Sequence, residues 1–338
     1  MSGGEANSYD KTTLVAIFLG IDGGGSKTSC LIGDETSVLG AGTGAASNIV
    51  RVGEAQARES LAAAIRQACT VANINPSEIG SVCVGVAGAA RPEIGELVRG
   101  IVSEVISSEI KSGEIISGKV KPGEIKPCEI KVVGDMVIAL EAAFGSGPGV
   151  IVIAGTGSIA YGRNHEDQTA RAGGWGFAIS DEGSGHWIGR TAVAAAIGAW
   201  DENPSQNVPL IEILLKLWRL ATIEQLVPAA NATPPPDFAA LFPSVLSLAD
   251  SGDRIALDVL NQAGIQLANL AGTLLRRLFP NSGAVRVAMS GGVFRSSALV
   301  RQVFYNSLCS EHPKASLNPS VIEPVRGALE LARKGAAK

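Results

Sequence analysis

The sequence predicts an α/β protein built as two halves of related architecture, and three observations carry that expectation. Its 338 residues amount to about two domains at ~150 residues each. Twice a short apolar run meets a glycine turn and returns as a second short run. The first such unit is Leu14 to Ile21, Asp22-Gly23-Gly24-Gly25, then Thr28 to Gly33; the second is Val150 to Ala154, Gly155-Thr156-Gly157, then Ser158 to Gly162. Each reads as strand, turn, strand. After each unit, helical periodicity alternates with further buried strands, as layered α/β domains require.

In chain order, Gly53 to Ala72 has helical spacing, with Leu61, Ile65, Ala68 and Cys69 on one face. Ser81 to Ala87 reads as a buried strand ending at Gly88, and Arg91 to about Ser107 as a helix. Lys131 to Gly134 is a short strand reaching Asp135, where a helical stretch starts. In the second half a long helical region spans about Gly183 to Phe279, broken at Asn203-Pro204 and at Thr233-Pro234-Pro235-Pro236. Val285 to Met289 is a strand running into Ser290-Gly291-Gly292, followed by a helix from Ser296 to about Leu308. A last helix, about Val321 to Lys334, is expected to pack back on the first half. One segment stands apart. From Glu109 the chain reads EIKSG, EIISG, KVKPG, EIKPC, EIK up to Lys131. A period of five suits neither helix nor strand, and Pro122 and Pro127 oppose a regular helix, so a surface insertion is expected, with a partner-docking arm as the alternative.

Composition removes several classes of function. The 41 glycines have no three-residue period and the charged fraction is 18%, which excludes collagen and general disorder. Twenty-eight basic against 32 acidic residues give a net charge of -4, so no nucleic-acid footprint is expected. The longest uncharged run, Ala142 to Gly162, is broken by glycines and Pro148, and no membrane span is expected. The apolar run from Leu14 follows Glu5, Asp10 and Lys11, unlike a leader, so residues 1–13 are expected to be a disordered tail. Five cysteines, at 30, 69, 83, 128 and 309, form no C-x-x-C pair; a reducing cytoplasm is expected, with all but Cys128 in apolar runs.

Five motifs carry chemistry. In Asp22-Gly23-Gly24-Gly25-Ser26-Lys27-Thr28 three glycines let backbone N–H groups approach an anion. The motif fails the P-loop pattern because Ser26 precedes Lys27-Thr28 and a strand comes next. Gly155-Thr156-Gly157-Ser158-Ile159-Ala160 has the letter of a dinucleotide fingerprint, but Tyr161 to His165 do not continue as a helix, so a hairpin donating N–H groups and the Thr156 hydroxyl to phosphate fits better. Ser290-Gly291-Gly292 lies at a strand end, where a flat ring or sugar can come close. Asp135, at the end of a strand, is either a helix cap or a general base for phosphoryl transfer. Gly173-Gly174-Trp175-Gly176, with Ser180-Asp181-Glu182-Gly183-Ser184-Gly185 after it, offers an aromatic face and carboxylates, the combination that sugars require.

Taken together, these runs resemble the N-acetylglucosamine kinase branch of the BadF/BadG/BcrA/BcrD ATPase family, over roughly residues 17 to 335. The resemblance implies an α/β fold of two actin-like, RNase H-like domains (the ASKHA fold) with a nucleotide and sugar cleft between them, and ATP with Mg²⁺ as cofactors. Its domains would be 14–134, with the insertion 109–131 and completed by 321–338, and 135–320. It implies that Asp22 helps hold Mg²⁺ through water and that Gly23, Gly24, Gly25, Ser26, Lys27 and Thr28 cradle the outer phosphates together with Gly155, Thr156, Gly157 and Ser158. Gly291 and Gly292 would flank adenosine. Asp135 would be the catalytic base, and Asn48, Asp135, Thr156, Gly157, Gly174, Trp175 and Asp181 would contact the sugar. The chain departs from animal relatives at Ala87, where they carry serine, and it lacks the zinc cluster of the ROK sugar kinases and the cysteine signatures of the dehydratase activators. The implied activity is phosphorylation of N-acetylglucosamine on its 6-hydroxyl in the cytoplasm. Glucosamine or N-acetylmuramic acid as substrate, or an ATPase that activates a partner, are the alternatives, with a sugar-sensing regulator disfavoured. A small-molecule amino sugar and a second copy in a homodimer are the expected partners, with neither nucleic acid nor membrane.

Overall fold

A computed structural model describes residues 16–89, 91–117, 128–281 and 283–336. Each half holds one five-stranded mixed sheet, and the two sheets share one wiring. β1 (Ile17–Gly23), β2 (Lys27–Gly33) and β3 (Val38–Ala45) form an antiparallel meander. β4 (Ile79–Val86) and β5 (Glu129–Val133) then add in parallel on the other side of β1, giving the order β3-β2-β1-β4-β5. In the second half β6 (Gly149–Ala154), β7 (Ser158–Arg163) and β8 (Thr169–Gly173) repeat the meander. β9 (Val285–Ser290) and β10 (Ala315–Ile322) repeat the parallel addition, in the order β10-β9-β6-β7-β8. The duplication expected from the two hairpin units therefore extends through five strands each.

Period-two alternation assigns the faces of β1. Leu19 and Ile21 join the core under α1 (Ile49–Ala72) and α2 (Pro92–Ser117), with Leu61, Ile65, Val84 and Ile101. Phe18 faces the other way, against Ala328, Leu329 and Ala332 of α11 (Pro324–Ala336). Gly20 makes that approach possible, since a side chain there would begin 2.3 Å from the Leu329 nitrogen. The last helix thus packs back on the first sheet, as its amphipathic pattern predicts.

α3 (Asp135–Phe144) is shared between the sheets. Ile138 joins the cluster of Phe18 and Leu329, while Ala139 and Leu140 join Ile151 and Ala288 of the second sheet. The buried Glu141 of α3 receives the Lys334 ammonium of α11, which also donates to Ser146. Lys334→Ala leaves that carboxylate buried without its cation, and a loss of about 1–3 kcal/mol is expected in denaturant unfolding, with the sugar site untouched.

The second half is helical beyond its sheet. It contains α4 (Gly185–Glu202), α5 (Pro209–Trp218), α6 (Leu226–Ala230), α7 (Phe242–Asp250) and α8 (Arg254–Leu278), then α9 (Gly292–Ser296) and α10 (Ala298–Glu311). Leu260, Leu267 and Leu274 of α8 pack under Val150, Val152 and Val287. The long helical region has the two breaks read from its prolines and two more, at Arg219, whose φ is 56°, and at Ser251-Gly252-Asp253.

Several expectations are corrected. α1 starts at Ile49, four residues early, because Asn48 caps it, with a kink at Gly53. α2 runs to Ser117, through the start of the pentapeptide repeat, and β5 absorbs its end from Glu129, so the supposed insertion is in part regular structure. Residues 118–127 lie outside the described residues, as does the expected tail. Val321 and Ile322 are not helical but end β10, pairing with Met289 and Ser290, and the last helix begins at Pro324. Pro319 is tolerated in β10 because β10 is an edge strand. Cys30, Cys69 and Cys83 are buried as expected, whereas Cys309 is only half-buried. Among the described residues no helix is long and apolar enough to cross a membrane.

Candidate functional site

The parallel strands β1, β4 and β5 end at one edge of the first sheet, where register sets Asp22 beside Gly85 and Gly85 beside Val133. Just beyond β5, Asp135 is the first residue of α3. Gly85 keeps the gap between them narrow, since a side chain there would begin 2.2 Å from Ile138 Cδ1. The two carboxyls therefore face the same space. Burial, then the Asp135 charge, pushes the Asp22 carboxyl up to about 7, against the opposing pull of Lys27 and Arg295. Burial also raises Asp135, opposed by N–H donors that include Met136, 2.9 Å away.

Both glycine hairpins reach this space and touch. The Ser26 and Thr156 hydroxyls are hydrogen-bonded at 3.1 Å, and a side chain on Gly25 would begin 3.3 Å from Thr156 Oγ1. The first turn is fixed by the segment that leads into α1, because the Gly24 carbonyl accepts from the N–H groups of Ser47 (3.1 Å) and Asn48 (3.3 Å). The second is fixed by the start of α4, where Gly185 N–H donates to the Gly155 carbonyl (2.8 Å) and His186 N–H to that of Thr156 (3.2 Å). Two candidate hydroxyls face inward instead. Thr28 donates to Ala45 O (2.6 Å) and Ser47 Oγ (2.7 Å), and Ser158 donates to Glu182 O (2.7 Å). Their side chains hold the hairpins in shape, while Lys27 projects into solvent.

The remaining candidates belong to segments around the two hairpins. Asn48 caps α1, its Oδ1 accepting from Val50 N–H at 3.1 Å. In the glycine-rich loop, Gly173, Gly174, Gly176 and Gly183 all take positive φ, and so does Asp181 at 67°. A non-glycine residue held there marks a place where surrounding structure dictates the backbone. The Asp181 carboxylate accepts N–H groups of Ser158 and Gly176, tying the loop to the second hairpin, while burial raises its pKa. At Gly157 a side chain would begin 2.7 Å from that carboxylate. Trp175 is 66% exposed, with the Arg171 guanidinium 3.9 Å above its ring. Gly291 takes a φ of 101° and lies against Ala154, where any side chain would begin 2.2 Å from the carbonyl. A side chain on Gly292 would meet nothing within 4 Å.

Four further residues stand at the opening that no motif pointed to. Arg51, one turn after Asn48, forms an ion pair with Asp237 at 2.7 Å, joining α1 to the second half. The His186 ring lies between Phe177 of the glycine-rich loop (4.8 Å) and Phe238 (5.3 Å). Burial lowers the imidazole pKa, helped by Arg190 and Arg51 and opposed by Asp237. Arg295, on α9 of the second half, acts electrostatically on Asp22. The one sequence signal was adjacency: Arg51 to Asn48 and Arg295 to Gly292.

Two facing carboxyls with one pKa near 7 form a site that a divalent cation relieves. Among the described residues no group of three or more His, Cys, Asp or Glu could cage a metal. A donor set of carboxyls fits Mg²⁺, which keeps its waters and takes one or two carboxylates plus substrate phosphates.

Comparison with known proteins agrees with this geometry. The family profile that matches, over residues 19–332, is that of the BadF/BadG/BcrA/BcrD ATPase family. An N-acetylmuramic acid/N-acetylglucosamine kinase of Clostridium acetobutylicum is 30% identical over 318 residues, 93% of this chain and 97% of the relative. An N-acetyl-D-glucosamine kinase of Dictyostelium discoideum is 27% identical over 94% of this chain and 97% of its own. Among solved structures, a Chromobacterium violaceum protein assigned as an N-acetylglucosamine kinase superposes with a TM-score of 0.68 at 25% identity, covering 94% of this chain and 99% of that one. A ROK family glucokinase from Streptomyces griseus, solved with glucose and AMPPNP, shares the fold at a TM-score of 0.54 and 17% identity, over 94% of this chain and 100% of that one.

Proposed function

The chain belongs to the BadF/BadG/BcrA/BcrD ATPase family, and from that premise we propose that it is an ATP-dependent amino-sugar kinase, phosphorylating N-acetylglucosamine on its 6-hydroxyl. The observation that carries the reading is the meeting of two glycine hairpins, through Ser26 and Thr156, in front of the Asp22 and Asp135 carboxyls.

In this reading Asp135 accepts the proton of the sugar hydroxyl as that oxygen attacks the terminal phosphorus of ATP. Burial raises its pKa, which strengthens it as a proton acceptor. Gly24 N–H is donated to Lys27 O and Gly155 N–H to Gly157 O, so the N–H groups of Gly25, Ser26, Thr156 and Gly157 would take the charge on the phosphate oxygens, the main demand of phosphoryl transfer on a protein. Asp22 would help hold Mg²⁺ through water, and the ion would supply neutralisation of the phosphate charge. The Gly173–Ser184 loop would close over the sugar, Trp175 covering its C–H face, and exclude water that would otherwise hydrolyse ATP. Asn48 and Asp181 would accept from or donate to sugar hydroxyls and the 2-substituent, with adenosine beside Gly291 and Gly292. The domains would divide at Asp135, with α11 returning to the first. A cytoplasmic homodimer acting on a small-molecule substrate completes the proposal.

ADP release by the purified protein is expected to depend on added amino sugar, N-acetylglucosamine giving the highest kcat/KM in a panel with glucosamine and N-acetylmuramic acid. Sugar-independent ATP hydrolysis together with a bound iron-sulfur chromophore would instead identify an activating ATPase.

A further inference from the structure

Arg51 is placed by α1 with its guanidinium between the two halves. Its Nη2 meets Asp237, while Nη1 turns toward the first hairpin, 3.7 Å from where a Gly25 side chain would begin. The side chain is 32% exposed, so the guanidinium is reachable from the cleft. A second cation stands nearby. Arg190 comes one helical turn after His186 on the same face of α4, and both arginines act electrostatically on that ring. His186 is itself held at the cleft by Phe177 and Phe238, and Phe177 belongs to the loop that carries Trp175 and Asp181. Asp237 is the one carboxylate acting on His186 to offset both guanidiniums, and Arg190 has no ion-pair partner among the described residues. Five N–H donors on a planar fork favour a carboxylate in two-point contact, so this rim has donors to spare for an incoming anion.

We propose that Arg51 of α1 and Arg190 of α4 form an anion subsite that receives the carboxylate of an acidic amino sugar, N-acetylmuramic acid being the simplest. That sugar is N-acetylglucosamine carrying a lactyl ether, so it adds one carboxylate to a molecule otherwise able to use Asn48, Trp175 and Asp135 unchanged. The inference rests on the amino-sugar reading above. Asp237 then serves as the internal counter-ion that occupies Arg51 until the substrate carboxylate competes for it.

The test is steady-state kinetics with both sugars and with ATP varied separately, on wild type, Arg51→Gln, Arg190→Gln and Arg51→Lys. The expected result is that wild type phosphorylates both sugars and that Arg51→Gln lowers the ratio of kcat/KM for N-acetylmuramic acid to that for N-acetylglucosamine by about tenfold or more, through KM. Arg190→Gln should shift the ratio the same way by a smaller factor, and Arg51→Lys should restore part of it. An equal loss on both sugars with a raised KM for ATP would show that Arg51 serves the nucleotide phosphates, which overturns the subsite. Turnover of N-acetylglucosamine without any of N-acetylmuramic acid in wild type would overturn it while leaving the kinase reading intact. Turnover of neither sugar would overturn both.

Discussion

Asp135→Asn is expected to lower kcat by about 10²–10⁴, the range a positioned general base contributes, with the KM for sugar changed little. The substitution keeps the shape and the cap on Met136 N–H while removing the proton acceptor. The fold is expected to survive, because Asp135 is the first residue of α3 and its packing on both sheets is made further along, by Ile138, Ala139 and Leu140. Single-turnover measurement of sugar phosphate separates the two roles, since a defect in binding would appear in KM. Retention of more than a tenth of the wild-type kcat would remove Asp135 from the chemistry. The wild-type kcat/KM should also fall as pH drops through about 7, where Asp22 takes up its proton beside Asp135, an acid limb far above that of an ordinary carboxylate.

Asp22→Asn should separate activity from stability. The folded protein holds the Asp22 carboxyl near 7 against an ordinary value of 3.8, so between those values the folded state binds more protons than the unfolded one. Stability is then fully present below the ordinary value and is lost as pH rises through about 7. Replacing the carboxyl with an amide removes that loss. Without ligands, the variant is expected to melt several degrees above wild type at pH 8, and the difference should shrink toward pH 5. Activity moves the opposite way, with kcat/KM at saturating Mg²⁺ down by at least about tenfold. A variant that is active, or that melts as wild type does at pH 8, would show that Asp22 neither holds the cation nor carries the strain of the pair.

Most of the strand and helix order was legible in the sequence because the hairpins announced themselves through glycine between apolar runs. Three strands were not legible, each for a different reason. β3, Val38–Ala45, has Gly40, Gly42 and Gly44 on one face and looks like a loop. Those glycines let α1 lie directly on the strand, since side chains would begin 2.6, 2.0 and 2.2 Å from the carbonyls of Ala68, Ala64 and Ser60. β8 is short and half-buried, with no apolar alternation to see. β10 contains Pro319, which a central strand would forbid but an edge allows. At the site, Asp22, Asp135 and both hairpins could be found because glycine and aspartate at strand ends are themselves the signal. Arg51, Asp237 and His186 carry no such signal. Their significance comes from a long stretch of chain, from the first helix to the second half, closing to 2.7 Å between Arg51 and Asp237, which only tertiary structure supplies.

The return of α11 to β1 has a consequence for synthesis. The first sheet is translated early, yet the face bearing Phe18 and Gly20 waits for Leu329, which is made only after the whole second sheet. Until then an apolar surface on the strand that carries Asp22 stays uncovered, a state that invites wrong association during growth. A nonsense codon or frameshift ahead of Pro324–Ala336, a helix that carries none of the site motifs, would therefore uncover the strand that holds Asp22.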